Sequence, residues 1–329
     1  MRESRLILYL PDLAVAVRAA GGRRFPVMEK FLARAARRPV ADGSAVLAEC
    51  FGLPPQDFPV AALEWLGIAG ARSAAHCWRA DPVHLLVDRD QVALLPRNTL
   101  GVTPEEARAL AVSINECFAD EHLEVETPRP DTWYLRAPLA WQCRTWDPAR
   151  VEGWAITEFM PSGADADQLR KLMTEIQMLL HTHPVNQVRE AAGLPTINSL
   201  WIWGGGPLPD RAARAPARII ASLPLAQGLA KLAGQTSEAW PADLDTQSTT
   251  GDWLVGLSVH DFSADRSRLD RELMAPLWRA LLRGRVNEIR FYPGGRSVYE
   301  LKPLAARRFW RRSRLVAEYL RAADDSPVH

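Results

Sequence analysis

Two histidines two residues apart, His181 and His183 in HTHPVN, raise the first chemical question, because imidazole is the commonest protein ligand for transition metals. Two ligands do not make a shell. Residues two apart on a helix do not face one another, and no H-E-x-x-H pattern stands nearby to complete the set. The pair is therefore read as ending a helix through hydrogen bonds. Asp12 follows the apolar run RLILYLP, which places a carboxylate just beyond a buried strand, and His260 with Asp261 in SVHDF follows a second such run. Gly204, Gly205 and Gly206 could let backbone amides approach a phosphate, but Pro207 and Pro209 follow and no Lys-Ser/Thr pair does. A tight structural turn is expected there. Arg307, Arg308, Arg311, Arg312 and Arg314 surround Trp310, a mixture that could hold phosphates or stack on bases. The reading adopted is a solvated basic helix face with Trp310 buried beneath it, and no helix-turn-helix or zinc-finger spacing supports DNA reading. No G-x-S-x-G elbow is present, and no cysteine sits in a protease or redox context, so covalent acyl chemistry has no visible nucleophile.

The elements that must carry these residues follow from hydrophobic spacing. A strand is expected over 5–10, a helix over 25–36 with Phe25, Met28, Phe31 and Leu32 on one side, and a hairpin in HCWRADPVHLLVDRDQVALL, where Val83, Leu85 and Val87 alternate ahead of an Asp-Arg-Asp turn. Thr103, Pro104, Glu105 and Glu106 read as the capped start of a helix whose buried stripe is Ala107, Leu110, Ile114 and Phe118. Further helices are expected over 165–181 and 185–192, then a strand in INSLWIW, a strand in DWLVGLSVHDF, a helix over 269–282, a hairpin in EIRFYPGGRSVYEL and a terminal basic helix with a polar tail. Strands and helices alternate, so the fold class is α/β.

The chain has 329 residues, 47% hydrophobic, and 40 basic against 39 acidic residues give a net charge of +1. Such a balance excludes long-range attraction of the whole molecule to nucleic acid or an anionic membrane; either contact would need a local patch. Nucleic acid and membrane are accordingly not expected as partners. Pro11 and Asp12 interrupt the one stretch resembling a secretory leader, and no run reaches the length of a bilayer span. Cys50, Cys77, Cys117 and Cys143 are too scattered for a disulfide framework, so a cytoplasmic location is expected.

Three blocks in order, WRADPVHLLVDRDQVALLPRNTLGVTPEEARALAVSIN, WYLRAP and HTHPVNQVREAAGLPTINSLWIWGGGPLP, resemble the archaeal-type cofactor-independent phosphoglycerate mutases of the alkaline phosphatase superfamily. Over nearly its whole length the chain also resembles bacterial RpfE-type regulatory proteins. The mutase resemblance implies an alkaline phosphatase-like core, residues 1–75 plus 205–329, with an inserted α/β substrate domain over 76–204. It also implies two divalent cations held by Asp and His residues, and a Ser or Thr that accepts the phosphoryl group. Here the pattern departs from the family. Asp12 matches the first metal-ligating Asp, but PDLAVAVRAAGG holds no Ser or Thr; FSADRSRLD lacks the later histidine and glycines; and EIRFYPGG stands where the final Asp-His and Gly-Asp-His segments belong. The core is thus expected to be degenerate, binding no metal, in a protein with a binding or regulatory role toward a phosphorylated small molecule or a protein partner. The alternative is a metal-dependent mutase or phosphohydrolase with an altered Mn, Mg or Zn site built from Asp12, His260 and Asp261. The insertion retains Arg79, Asp81, Trp133, Tyr134, Arg136, Asp147, Asn186, Arg189 and Asn198, whose arginines could grip a phosphorylated acid. Equally, these groups could pair with one another, Asp81 with Arg79 for example.

Overall fold

The computed structural model describes residues 4–19, 23–56, 58–73, 75–88, 91–95, 99–138, 140–152, 154–240, 251–263 and 265–324. Along the chain run β1 (Arg5–Tyr9), α1 (Leu13–Ala19), α2 (Pro26–Arg34), β2 (Ala36–Pro39), α3 (Gly43–Phe51), α4 (Val60–Ala69), β3 (His76–Val83), β4 (Leu85–Asp88), β5 (Gln91–Leu94) and α5 (Pro104–Cys117). Next come β6 (Glu124–Arg129), β7 (Thr132–Ala137), β8 (Cys143–Arg144), α6 (Pro148–Val151), β9 (Ser162–Gly163), α7 (Ala166–His181), α8 (Pro184–Ala191) and β10 (Ser199–Trp203). The last part holds β11 (Arg218–Ala221), α9 (Pro224–Leu232), β12 (Trp253–Gly256), α10 (Ala275–Leu282), β13 (Glu288–Tyr292), β14 (Ser297–Leu301), α11 (Pro303–Ala306) and α12 (Val316–Asp324).

The chain divides into two compact units, residues 1–55 with 210–329, and residues 56–209. These boundaries differ from the 75/76 and 204/205 junctions expected from sequence. The displaced segment is α4, which packs on β3 and therefore goes with the second unit.

In the first unit a six-stranded sheet has the order β11-β12-β1-β13-β14-β2. The first four strands are mutually parallel; β14 then pairs antiparallel with β13, and β2 antiparallel with β14. Strand β1 is buried on both faces, as its unbroken apolar run requires. Leu6, Leu8, Val255, Ile289 and Phe291 meet Met28, Phe31, Leu273 and Leu277 in one core. Helix α2 has no side-chain cap of its own; instead the buried Asp270 carboxylate accepts the amides of Val27 and Met28 at 3.0 and 2.9 Å. Gly294, in the β13–β14 turn, sits at φ +96°, and a Cβ there would lie 2.2 Å from the Pro11 carbonyl oxygen. The same turn accepts the Ala14 amide at the Pro293 carbonyl, 2.9 Å away.

The second unit carries a fully antiparallel sheet, β10-β3-β7-β6. Pro82 lies in β3, inside the sheet, because the pairing of β3 with β7 ends at Arg79 and leaves that edge without a ladder to break. Helix α5 starts with the expected Thr103 cap, Oγ1 accepting the Glu106 amide, and the Glu106 side chain completes a capping box by accepting the Thr103 amide.

Several local expectations change. DWLVGLSVHDF is a strand only to Gly256, and 259–262 form a 3₁₀ turn opened by Ser258. The helix expected over 269–282 begins as a π-helical turn, Leu269–Met274, before α10. Of the polar turn between β4 and β5, Arg89 and Asp90 lie outside the described residues, as do 325–329 of the polar tail. The basic terminal helix does not form over 307–315: helix resumes only at Val316, and Trp310 is 66% exposed rather than buried. Arg307 with Arg311 and Arg308 with Arg312 would be like-charged i,i+4 neighbours, with no carboxylate between Glu300 and Glu318 to relieve them.

Candidate functional site

Asp12, Ser222 and Ser258 come together where three parallel strands end. Tyr9 of β1 and Ala221 of β11 both pair with Gly256 of β12, so the residues just beyond them emerge side by side at the carboxyl edge of the sheet. This edge is where open α/β sheets bind ligands. The Ser258 hydroxyl donates to Asp12 Oδ2 at 3.2 Å, and the Ser258 amide donates to both Asp261 Oδ2 and Ser222 Oγ at 3.1 Å. The Ser222 hydroxyl donates to Asp261 Oδ2 in a short hydrogen bond. Ser258 Oγ accepts the His260 amide at 3.2 Å, and the imidazole itself is exposed. A cleft of about 470 Å³ opens beside Ser222 and Asp261, lined also by Gln227, Trp240, Phe262 and the Arg268–Glu272 ion pair.

The donor set does not fit the two-cation centre that the resemblance implies. One oxygen of each carboxylate accepts from a serine hydroxyl, and Asp261 is further held by an amide. Among the described residues no three His, Cys, Asp or Glu side chains are placed to share a metal ion. His181 and His183 belong to the other unit. His183 caps α8 by accepting the Val185 amide at Nδ1, 3.1 Å away, with Nε2 3.0 Å from Ser113 Oγ; burial lowers its pKa.

The second unit uses its polar residues differently. Arg79 and Asp81 project from the same face of β3, and the guanidinium reaches Asp81 Oδ1 at 2.5 and 3.1 Å and Glu64 Oε2 at 2.7 Å. Trp203 Nε1 donates to the other Asp81 oxygen at 2.8 Å, and the Tyr134 hydroxyl donates to Glu64 at 2.9 Å. The rings of Tyr134 and Trp203 also lie 5.4 Å from the guanidinium carbon. Burial works against the Arg79 charge, but Asp81 and Glu64 outweigh it and raise its pKa; burial, reinforced by Glu64, pushes the Tyr134 phenol up.

The remaining expected ligand residues are not gathered with them. Trp133 is buried and donates to the Pro130 carbonyl at 2.7 Å. Asn186 bridges Leu180, Ile197 and their segments through three hydrogen bonds of 2.8 Å. Arg189 holds the Pro195 carbonyl at 2.8 Å, Glu106 at 2.9 Å and the Leu100 carbonyl. Asn198 pairs with the backbone of Leu85, and Asp147 caps α6 by accepting the Ala149 amide at 2.9 Å. Arg136 lies against Glu124 and Glu126 with its side chain 30% exposed. The glycine run packs closely, as expected, but is irregular chain rather than a turn: a Cβ on Gly205 would lie 2.2 Å from the Trp78 ring.

Sequence reasoning missed Glu64, Ser222 and Ser258. The two serines had a legible signal, since each follows an apolar β-rich run, RIIAS and WLVGLS. Glu64 lies on α4, in a stretch where no chemistry was sought.

No protein-family model matches the chain. It is 30% identical over 112 residues to the 2,3-bisphosphoglycerate-independent phosphoglycerate mutase of Methanothrix thermoacetophila, covering 33% of this chain and 27% of that protein. To the probable mutase of the same kind from Geobacter sulfurreducens it is 32% identical over 92 residues, 26% of this chain and 23% of that protein. Among solved structures, a Pyrococcus horikoshii protein matches at TM-score 0.47 and 16% identity over 92% of this chain and 88% of that one. The cofactor-independent phosphoglycerate mutase of Thermoplasma acidophilum matches at TM-score 0.40 and 15% identity over 97% and 98%. Both scores are too low to assign a shared fold. The chain spans about a quarter of the length of the curated relatives it matches, and its kinship with these mutases is partial and of low identity.

Proposed function

We propose that the chain is a catalytically degenerate relative of the cofactor-independent phosphoglycerate mutases that acts by binding, in the manner suggested by its resemblance to RpfE-type regulatory proteins. The observation that carries this reading is the carboxyl edge of the six-stranded sheet, where Asp12, Ser222, Ser258 and Asp261 engage one another. Phosphoryl transfer between oxygens needs cations or several fixed cationic donors around the transferred group. The described residues at this edge are three carboxylates, two hydroxyls, the exposed His260 imidazole and one arginine, which is already paired with one of those carboxylates, Glu272. Such a set suits a neutral or hydroxyl-bearing ligand better than a phosphoryl group in flight. A phosphorylated metabolite would be met in the second unit instead, at Arg136, where it would compete with two partly exposed glutamates.

The purified chain is assayed for interconversion of 2- and 3-phosphoglycerate and for phosphatase activity with Mn²⁺, Mg²⁺ or Zn²⁺ supplied. No turnover above background is expected. Metal-dependent turnover abolished by Asp12→Ala would overturn the proposal in favour of a working mutase or phosphohydrolase with an altered site. A thermal-shift screen against phosphorylated three-carbon acids tests the binding role, since a specific ligand raises the apparent melting temperature by mass action. A shift lost in Arg136→Ala would place the ligand in the second unit.

A further inference from the structure

Between Glu300 and Glu318 the sequence holds Lys302, Arg307, Arg308, Arg311, Arg312 and Arg314 and no carboxylate. The net charge of the whole chain is only +1, so the surplus is local. The five arginines are exposed, and none of them makes an ion pair with another described residue. Among them stand three large apolar side chains, Leu304, Phe309 and Trp310, exposed at 82%, 82% and 66%. The core closes on either side of Phe309 and Trp310, at Ala306 and Val316, both fully buried. Phe309 and Trp310 pack on each other edge to face, with centroids 5.4 Å apart and planes at 82°.

We propose that residues 302–314 dock the protein onto an anionic lipid surface. Leu304, Phe309 and Trp310 enter the boundary between headgroups and acyl chains, and the arginines engage lipid phosphates and carboxylates. Charge complementarity selects an anionic partner, and the apolar trio selects a lipid one. A tryptophan is suited to headgroup depth, having an apolar body and an indole N–H. Basic side chains near the membrane add attraction to anionic lipids, so insertion and charge act together where either alone would be weak. Single-stranded nucleic acid fits less well. Its bases need open, roughly parallel ring faces, whereas these two rings stand nearly perpendicular, and Leu304 offers an aliphatic surface that no base requires. The inference is independent of the carboxyl-edge reading.

The full chain is sedimented with vesicles of phosphatidylcholine alone and of phosphatidylcholine mixed with phosphatidylserine. Binding to the mixed vesicles only, weakening as salt rises, is expected. The double variant Phe309→Ser/Trp310→Ser keeps every charge and is expected to lower the partition coefficient roughly tenfold or more. Arg311→Gln/Arg312→Gln keeps the apolar trio and is expected to lower it by a similar factor, about tenfold. Because these side chains are exposed, both variants retain the parent melting temperature, which separates lost docking from lost folding. The proposal is overturned by absent binding, by equal binding to neutral vesicles, or by an unchanged partition in Phe309→Ser/Trp310→Ser. It is equally overturned if a single-stranded oligonucleotide binds more tightly than the vesicles, or if the chain is a dimer that the aromatic variant disperses.

Discussion

Two polar assemblies, one in each unit, use similar residue types under opposite conditions. At β3 Arg79 and Asp81 are buried and Glu64 is mostly covered, and the guanidinium is met by both carboxylates and by two aromatic rings. At the carboxyl edge of the six-stranded sheet Ser222, His260 and Asp261 remain exposed and only Ser258 is buried. Burial turns the first set into a structural fastening that cannot lose a member without stranding a charge. Solvent at the second set means that a lost partner is replaced by water, so those residues can change at little cost to the fold. Polar side chains in a chain of this kind are thus not functional candidates in proportion to how chemical they look. The more completely they satisfy one another, the weaker that candidacy becomes.

The largest expected effect tests the fastening. Arg79→Met leaves Asp81 and Glu64 without their cation and should cost about 3–5 kcal/mol in urea unfolding; a loss near zero would break the contrast. Next, Glu106→Gln removes the carboxylate facing the buried Arg189 and should cost about 1.5–3 kcal/mol at neutral pH. Burial raises the Glu106 pKa, but the Thr103 amide and Arg189 outweigh it and hold the carboxyl below its usual 4.5. That stabilisation is therefore full above the unfolded value and disappears as pH falls through the lower folded one. The gap between parent and Glu106→Gln, followed by unfolding at successive pH values, should narrow in acid.

Gly205→Ala should cost about 1–3 kcal/mol, because the added methyl has the Trp78 ring in its place. At the opposite extreme, Ser222→Ala should stay within about 0.5 kcal/mol of the parent. Any ligand found for the cleft beside Ser222 would lose affinity in that variant at unchanged stability, which would sharpen the distinction between fastening and edge.

Much of this architecture was legible in sequence where a local rule acts alone. The Thr103 cap, the spacing of the α5 stripe and the β13–β14 hairpin depend on neighbours a few residues away. The failures lie where distant residues decide. Asp270 caps α2 across more than two hundred positions, and Glu64 joins Arg79 through the packing of α4 on β3. Neither partner is marked by spacing. The basic stretch failed for another reason: an apolar residue flanked by charge reads as amphipathic helix, but like charges one turn apart oppose that helix, and Trp310 stays outside.

The turn at Gly294 bears on any attempt to build a metal site at this edge. The resemblance expects metal-gripping segments in the part of the chain now occupied by this hairpin, and the hairpin has become a splint for the loop that presents Asp12. Aspartate or histidine introduced at Gly294 would meet both an unfavourable backbone angle and the Pro11 carbonyl. A chelating centre at this position would therefore require a new loop before any new ligand.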